Sequence, residues 1–133
     1  MACNSELTFD VSPISIGVES RDVTIKFSQP VLDVYHLLTG RLVVDFKHKI
    51  DDVSPLFTLD SNVSAGHFIR SGPFAADADA CVASITFVIP ATMTSLITKG
   101  TILFDILCYD GATKLAVPGQ WSWPCKRRIT ERA

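Results

Sequence analysis

Apolar and polar residues alternate with a period of two through much of the chain. The clearest example is the segment 22–27, in which Val23, Ile25 and Phe27 alternate with polar residues. This period is typical of a β-strand that buries one face and exposes the other. Similar patterns predict further strands at residues 7–11, 14–18, 41–48, 81–89, 101–109, 114–117 and 121–126, whereas 56–59 and 67–70 fit either short strands or loop.

Turn-forming residues separate these segments, among them Gly40, Asp110-Gly111 and Pro118-Gly119. Turn signals at intervals of about 8–12 residues are typical of a sandwich or barrel. We therefore predict one all-β domain over residues 1–133. It is an antiparallel immunoglobulin-like or jelly-roll-like sandwich of seven to nine strands, with one or two short helical turns. One such turn is predicted at residues 91–97, whereas residues 31–38 fit either a short helix or a loop.

The outward positions of two predicted strands differ in character. Residues 101–109 are apolar on both faces except at Asp105. That pattern is typical of a central strand or of a strand covered by a partner. In the strand at 41–48 the inward positions are apolar. The outward positions include Arg41, Asp45 and Lys47.

Composition limits the class of protein. The chain has 133 residues, of which 47% are hydrophobic and 20% charged, as in a globular domain. Its net charge of −2 is not the basic excess of a dedicated nucleic-acid binder. No apolar run approaches the roughly 20 residues that a membrane-spanning helix needs. We therefore expect neither nucleic acid nor a membrane as a partner.

The cysteines are expected to be reduced. Residues 1–10 lack the basic and apolar regions of a secretory signal, and disulfides are rare in proteins that stay in a reducing compartment. No two cysteines have the spacing of a zinc site. Cys108 and Cys125 lie in apolar alternating segments and are predicted to be buried.

No sequence motif for catalysis or cofactor binding is present. The chain has no glycine-rich phosphate loop, no Gly-x-Ser-x-Gly elbow and no His-Glu-x-x-His pattern. Its histidines, His36, His48 and His67, are far apart in sequence. Asp77 and Asp79 could contribute to a calcium site, but a solvated loop is the simpler explanation. We expect no enzymatic activity, no cofactor, no metal and no small-molecule substrate.

Three regions are predicted to contact partners: the first ten residues, the long irregular region 60–80, and the basic C-terminal end. Trp121 and Trp123 share one face of the last strand, where they form part of the core or anchor an interface. Pro124 predicts that this strand lies at a sheet edge. The candidate interface residues are Trp121, Trp123, Arg127, Arg128, Arg132, His67, Phe68 and Phe74.

Short motifs in the second half of the chain follow one another in a characteristic order. They are the segments 85–89, 90–96, 99–106, 110–111, 118–123 and 128–132, and Leu38-Thr39-Gly40 precedes them. This order resembles the immunoglobulin-like sandwich modules of tailed-bacteriophage virion proteins, with upper-baseplate and tail-fibre adaptor proteins as the nearest group. The resemblance covers about residues 20–133. Leu103 and Phe104 replace the usual tyrosines, and the stretch 121–124 is unusual.

The resemblance implies a non-enzymatic structural protein of a tailed phage virion, in the tail, the baseplate or the fibre attachment. It would be assembled in the host cytoplasm, and its partners would be other virion proteins and further copies of itself. A capsid-decorating cement protein is the alternative within the virion. A carbohydrate-binding or other ligand-binding module, with Trp121 and Trp123 as its aromatic platform, is a further alternative. A small hydrolase or lyase would need acid and base residues clustered around a histidine.

Overall fold

The computed structural model describes residues 7–75, 81–117 and 120–127. These residues contain ten strands, two short α-helices and one 3-10 turn, Ala65–His67. The elements are β1 Leu7–Val11, β2 Ile14–Ser15, β3 Ser20–Phe27, α1 Gln29–Tyr35, β4 Arg41–Lys47, β5 Phe57–Asp60, β6 Phe68–Ser71, β7 Ala83–Ile89, α2 Ala91–Thr94, β8 Thr101–Asp110, β9 Thr113–Ala116 and β10 Trp121–Lys126.

The strands form two sheets packed as a sandwich. One sheet has the order β1-β3-β7-β6, and the other has the order β2-β10-β8-β4-β5. Strands β9 and β10 pair with different parts of the same edge of β8 and share one position in the sheet. The ten strands therefore occupy nine strand positions in the two sheets. The first sheet reproduces the A-B-E-D order of an immunoglobulin sandwich, and β4, β8 and β10 occupy the places of its C, F and G strands. The all-β sandwich prediction is confirmed.

Every strand pair is antiparallel except β2 with β10, which is parallel. Two predictions are corrected here. The strand predicted at 14–18 ends after Ser15, because the chain turns at Gly17 with a φ of 88°. The last strand, β10, is not at the edge of its sheet, because β2 flanks it. Strand β2 pairs only with Cys125 and Lys126, so Pro124 is still accommodated.

Aromatic side chains join the two sheets in the core. Phe46 of β4 and Phe104 of β8 both meet Phe87 of β7 edge-on, with ring centroids 6.2 and 5.7 Å apart. Phe57 stacks on Phe46 at 4.6 Å, and the ring of Trp123 lies 6.0 Å from that of Phe104. Edge-to-face and offset pairs of this kind add to the free energy gained from burying the rings. All five residues are buried.

The connection from β3 to β4 contains helix α1. Of residues 31–38, which fitted either a short helix or a loop, the first five are therefore helical. Pro30 lies in the first turn, where its missing N–H costs no helical hydrogen bond. The helix ends at His36, whose φ of 51° is left-handed. Arg70 of β6 then donates hydrogen bonds from Nη1 to the carbonyls of Leu37 and Gly40. The Arg70 side chain thus links the edge of one sheet to the turn that enters the other.

Neither helix in the described part of the chain has the length and apolarity that crossing a membrane requires.

The turn before β4 is tightly packed against β8, and this gives a prediction. A Cβ atom on Gly40 would lie 2.5 Å from Cys108 Sγ and 2.9 Å from the Tyr109 carbonyl oxygen. We expect Gly40→Ala to lower the free energy of unfolding by about 1–3 kcal/mol in urea titrations, because the added methyl overpacks this contact. Gly66→Ala is the control, since its nearest atom would be 3.7 Å away. Equal stability of the two variants would contradict the packing described here.

Candidate interaction surface

The two tryptophans point toward the core. Trp123 is fully buried, and its Nε1 donates a hydrogen bond to the Ser12 carbonyl at 2.7 Å. Trp121 is half-buried, with its ring 5.6 Å from that of Phe104. Residues two apart on a strand share a face, and on β10 this is the inner one. Trp123 is therefore not an accessible interface residue, and an aromatic platform for sugars cannot include it.

The candidates around β6 differ in accessibility. Phe68 is 6% exposed and meets Phe87 edge-on at 5.5 Å, so it belongs to the core and offers no surface to a partner. His67 is half-buried, and its Nδ1 donates to the Val88 carbonyl at 3.2 Å. Phe74 is 41% exposed and remains available for contact. Within the region 60–80, the described residues form a 3-10 turn and β6.

The basic C-terminal end is described only in part. Lys126 and Arg127 are exposed, whereas Arg128 and Arg132 lie outside the described residues. Residues 1–6 of the N-terminal region, and the two aspartates considered for a calcium site, also lie outside them. The contacts predicted for these segments stay predictions.

The histidines occupy separate places. His36 Nε2 lies 3.5 Å from a carboxylate oxygen of Asp110, at one end of β8. His48 lies at the other end of β8, where its Nε2 accepts a hydrogen bond from the Thr98 N–H at 3.1 Å. Its Nδ1 must then carry the proton that is donated to the Thr101 carbonyl. Within residues 7–75, 81–117 and 120–127, no group of three His, Cys, Asp or Glu residues could hold a metal ion.

The cysteines differ in redox state. Cys81 is disulfide-bonded, which corrects the expectation that all the cysteines are reduced. The sequence argument failed because it inferred the redox state from the character of residues 1–10 rather than from which cysteines meet in the fold. Cys108 and Cys125 are free and buried, as predicted. Burial raises the pKa of both thiols, to about 11 for Cys125.

The outward side of the larger sheet is a surface that the candidate list did not include. Strands β4 and β8 pair so that Val43 lies opposite Leu107, Asp45 opposite Asp105, and Lys47 opposite Leu103. Asp105 is exposed and the other five are half-buried. We call these six residues the outer face. The sequence indicated part of this surface, because residues 101–109 are apolar on both faces except at Asp105.

The outer face contains a shallow depression with a volume of about 200 Å³. Two facing carboxylates, Asp45 and Asp105, lie against it, together with Lys47, Leu103 and the loop residue Ile50. Ile50 is 62% exposed. The depression thus combines apolar side chains with charges of both signs.

Neither aspartate of the outer face forms an ion pair with a basic residue in the described part of the chain. Like charges directly opposite each other on neighbouring strands destabilise a sheet. Asp45 accepts a hydrogen bond from Thr58 Oγ1 at 2.5 Å. No lysine or arginine among the described residues forms an ion pair with Asp45 or Asp105, and Lys47 forms none with an acidic residue there.

An ion pair between Arg41 and Asp60 lies near the outer face. Arg41 donates from Nη2 and Nε to the two carboxylate oxygens of Asp60, at 2.6 and 3.0 Å. Its guanidinium carbon also lies 5.0 Å from the ring centroid of Tyr109. The hydrogen bonds from Arg41 hold the pKa of Asp60 below its ordinary value, and they raise the pKa of Arg41.

No protein-family model matches the chain, and no significantly similar curated protein or solved structure was found. The functional interpretation therefore depends on the fold, on the outer face and on the sequence motifs.

The lowered pKa of Asp60 predicts how the stability of the fold changes with pH. Because the folded-state pKa is lowered, the ion pair stabilises the fold at pH values above the ordinary 3.8, and this is lost as the pH falls through the lowered value. We expect Asp60→Asn to lower the free energy of unfolding by about 1 kcal/mol at neutral pH, since the pair is partly screened by solvent. The difference from the unmodified protein should shrink below pH 3.8.

Urea titrations at several pH values measure this difference. Asp33→Asn is the control, because Asp33 is exposed on α1 and pairs with the neutral amide of Gln29. A difference between Asp60→Asn and the unmodified protein that grows on acidification would contradict the assignment.

Proposed function

We propose that this chain is a non-enzymatic structural protein of a tailed phage virion, acting through protein–protein interfaces in the tail, the baseplate or the fibre attachment. The observation that supports the proposal most strongly is the outer face. Half-buried apolar side chains and charges without ion-pair partners lie side by side on the two central strands of the larger sheet. Protein–protein interfaces combine apolar contact area with polar and charged groups.

The position of the outer face in the fold favours a permanent contact. Strand β8 has ten residues and is paired on both sides, with β4 on one and with β9 and β10 on the other. The inner side chains of β4 and β8, including Phe46 and Phe104, are fixed in the aromatic core. A backbone held in this way is already ordered before a partner binds, so little backbone entropy is lost on binding.

The sequence motifs support the virion setting of the proposal. The order of segments between residues 85 and 132 resembles the immunoglobulin-like modules of tailed-phage virion proteins. The A-B-E-D strand order of the smaller sheet agrees with such a module. A part repeated in a symmetric particle needs a small rigid domain with an interface on a fixed surface, and the outer face is our candidate for that surface. Its partners in the proposal are other virion proteins and further copies of itself.

The abundance of the chain in purified particles tests the proposal. We expect quantitative mass spectrometry of particles from the source to find it at far fewer copies than the major shell protein, as for a tail, baseplate or fibre-attachment component. A soluble host protein of similar abundance in the lysate is the control for carry-over. A copy number comparable to that of the shell protein would instead indicate capsid decoration. Absence of the chain from the particles would contradict a virion role.

A further inference from the structure

The six residues of the outer face form three cross-strand pairs, which we call rows, and the order of the rows matters for association. Along the strands, the apolar row of Val43 and Leu107 is followed by the acidic row of Asp45 and Asp105. The next row carries Lys47 beside Leu103. The amine and the carboxylates therefore lie in adjacent rows. On β4, Asp45 and Lys47 are two residues apart and point the same way.

This arrangement is self-complementary. In an interface with two-fold symmetry, residue i of one copy contacts residue j of the other, and j contacts i. Consider a second copy placed with its outer face against that of the first. The two copies are related by a two-fold axis that runs across the strands, between the acidic row and the Lys47 row. Lys47 of each copy then meets Asp45 of the other. The exposed Ile50 then approaches the apolar row of Val43 and Leu107. Asp105 of each copy lies opposite Leu103 of the other, one strand away from the lysine that meets Asp45.

The outer face lies on the two longest strands of the larger sheet. Strand β8 has ten residues and β4 has seven, whereas β5 and β2 have four and two. The contact is therefore centred on β4 and β8, where the charged rows lie.

We propose that two copies of this chain associate face to face through the outer face, with Asp45 of each copy paired with Lys47 of the other. This inference rests on the proposed function only in treating the outer face as an interface, and it names the second copy as the occupant. The pairing is reciprocal, so reversing either charge removes attraction from both halves of the contact at once.

Two single variants and their mixture test the pairing by sedimentation equilibrium. We expect the unmodified protein to be a dimer. In Asp45→Lys both contacts become lysine against lysine, and in Lys47→Asp they become aspartate against aspartate. Each variant alone should weaken dimerisation by about tenfold or more, because like charges then meet across the interface. An equimolar mixture of the two should form a mixed dimer, since every contact in it joins a lysine to an aspartate.

Lys26→Asp is the matched control. Lys26 is half-buried on β3, on the outward side of the smaller sheet, so the same change of charge there should leave dimerisation unchanged. Circular dichroism of each variant establishes that it is folded. If Asp45→Lys failed to fold, Lys47→Asp with Lys26→Asp would still distinguish the two faces.

Three outcomes would overturn the inference. They are a monomeric unmodified protein at its highest soluble concentration, a dimer that Lys47→Asp leaves intact, and a mixture of variants that stays monomeric. These outcomes are independent of the proposed virion role, which is measured by abundance in particles. A chain that is present in particles but monomeric in solution would disprove the dimer alone. A dimer that is absent from particles would disprove the virion role alone.

Discussion

The contact of Phe87 with Phe46 and Phe104 is the interaction on which the rest of the structure depends. It joins the two sheets at their centre, and both partners of Phe87 lie on the strands that form the outer face. Side chains alternate strictly along a strand. Once Phe46 and Phe104 are fixed inward, their neighbours Asp45 and Asp105 must point outward. The same packing that stabilises the sandwich therefore determines which charges lie on the outer face.

The sequence allowed the strands to be predicted well but not their pairing. Residues 41–48 and 101–109 were predicted as strands because a period of two is a local property, and both are strands in the structure. The juxtaposition of Asp45 with Asp105 depends on the register between strands some 60 residues apart, which no local pattern encodes. The same limit explains why Trp123 and Phe68 were predicted as candidate interface residues although both are buried. Alternation placed each on one side of its strand, and only the packing of the sheets showed that this side was the core.

The outer face also gives a reason for an arrangement that is unfavourable in an isolated chain. Two carboxylates directly opposite each other, and a lysine that does not pair with either, do not optimise the stability of a monomer. The nearby pair of Arg41 and Asp60 shows that the same sheet can satisfy its charges internally. In the proposed dimer these charges would gain partners, and they would set the specificity and register of the contact.

The most direct test of the account is to observe which face changes when the chain associates. Amide chemical shifts of the isotope-labelled protein would be followed by NMR over a series of concentrations. The account predicts concentration-dependent shifts on β4 and β8, centred on Asp45 and Asp105. It predicts none at Thr24 and Thr86, whose hydroxyls bond to each other on the outward side of the smaller sheet. Shifts confined to the smaller sheet, or no shifts at any concentration, would contradict the account.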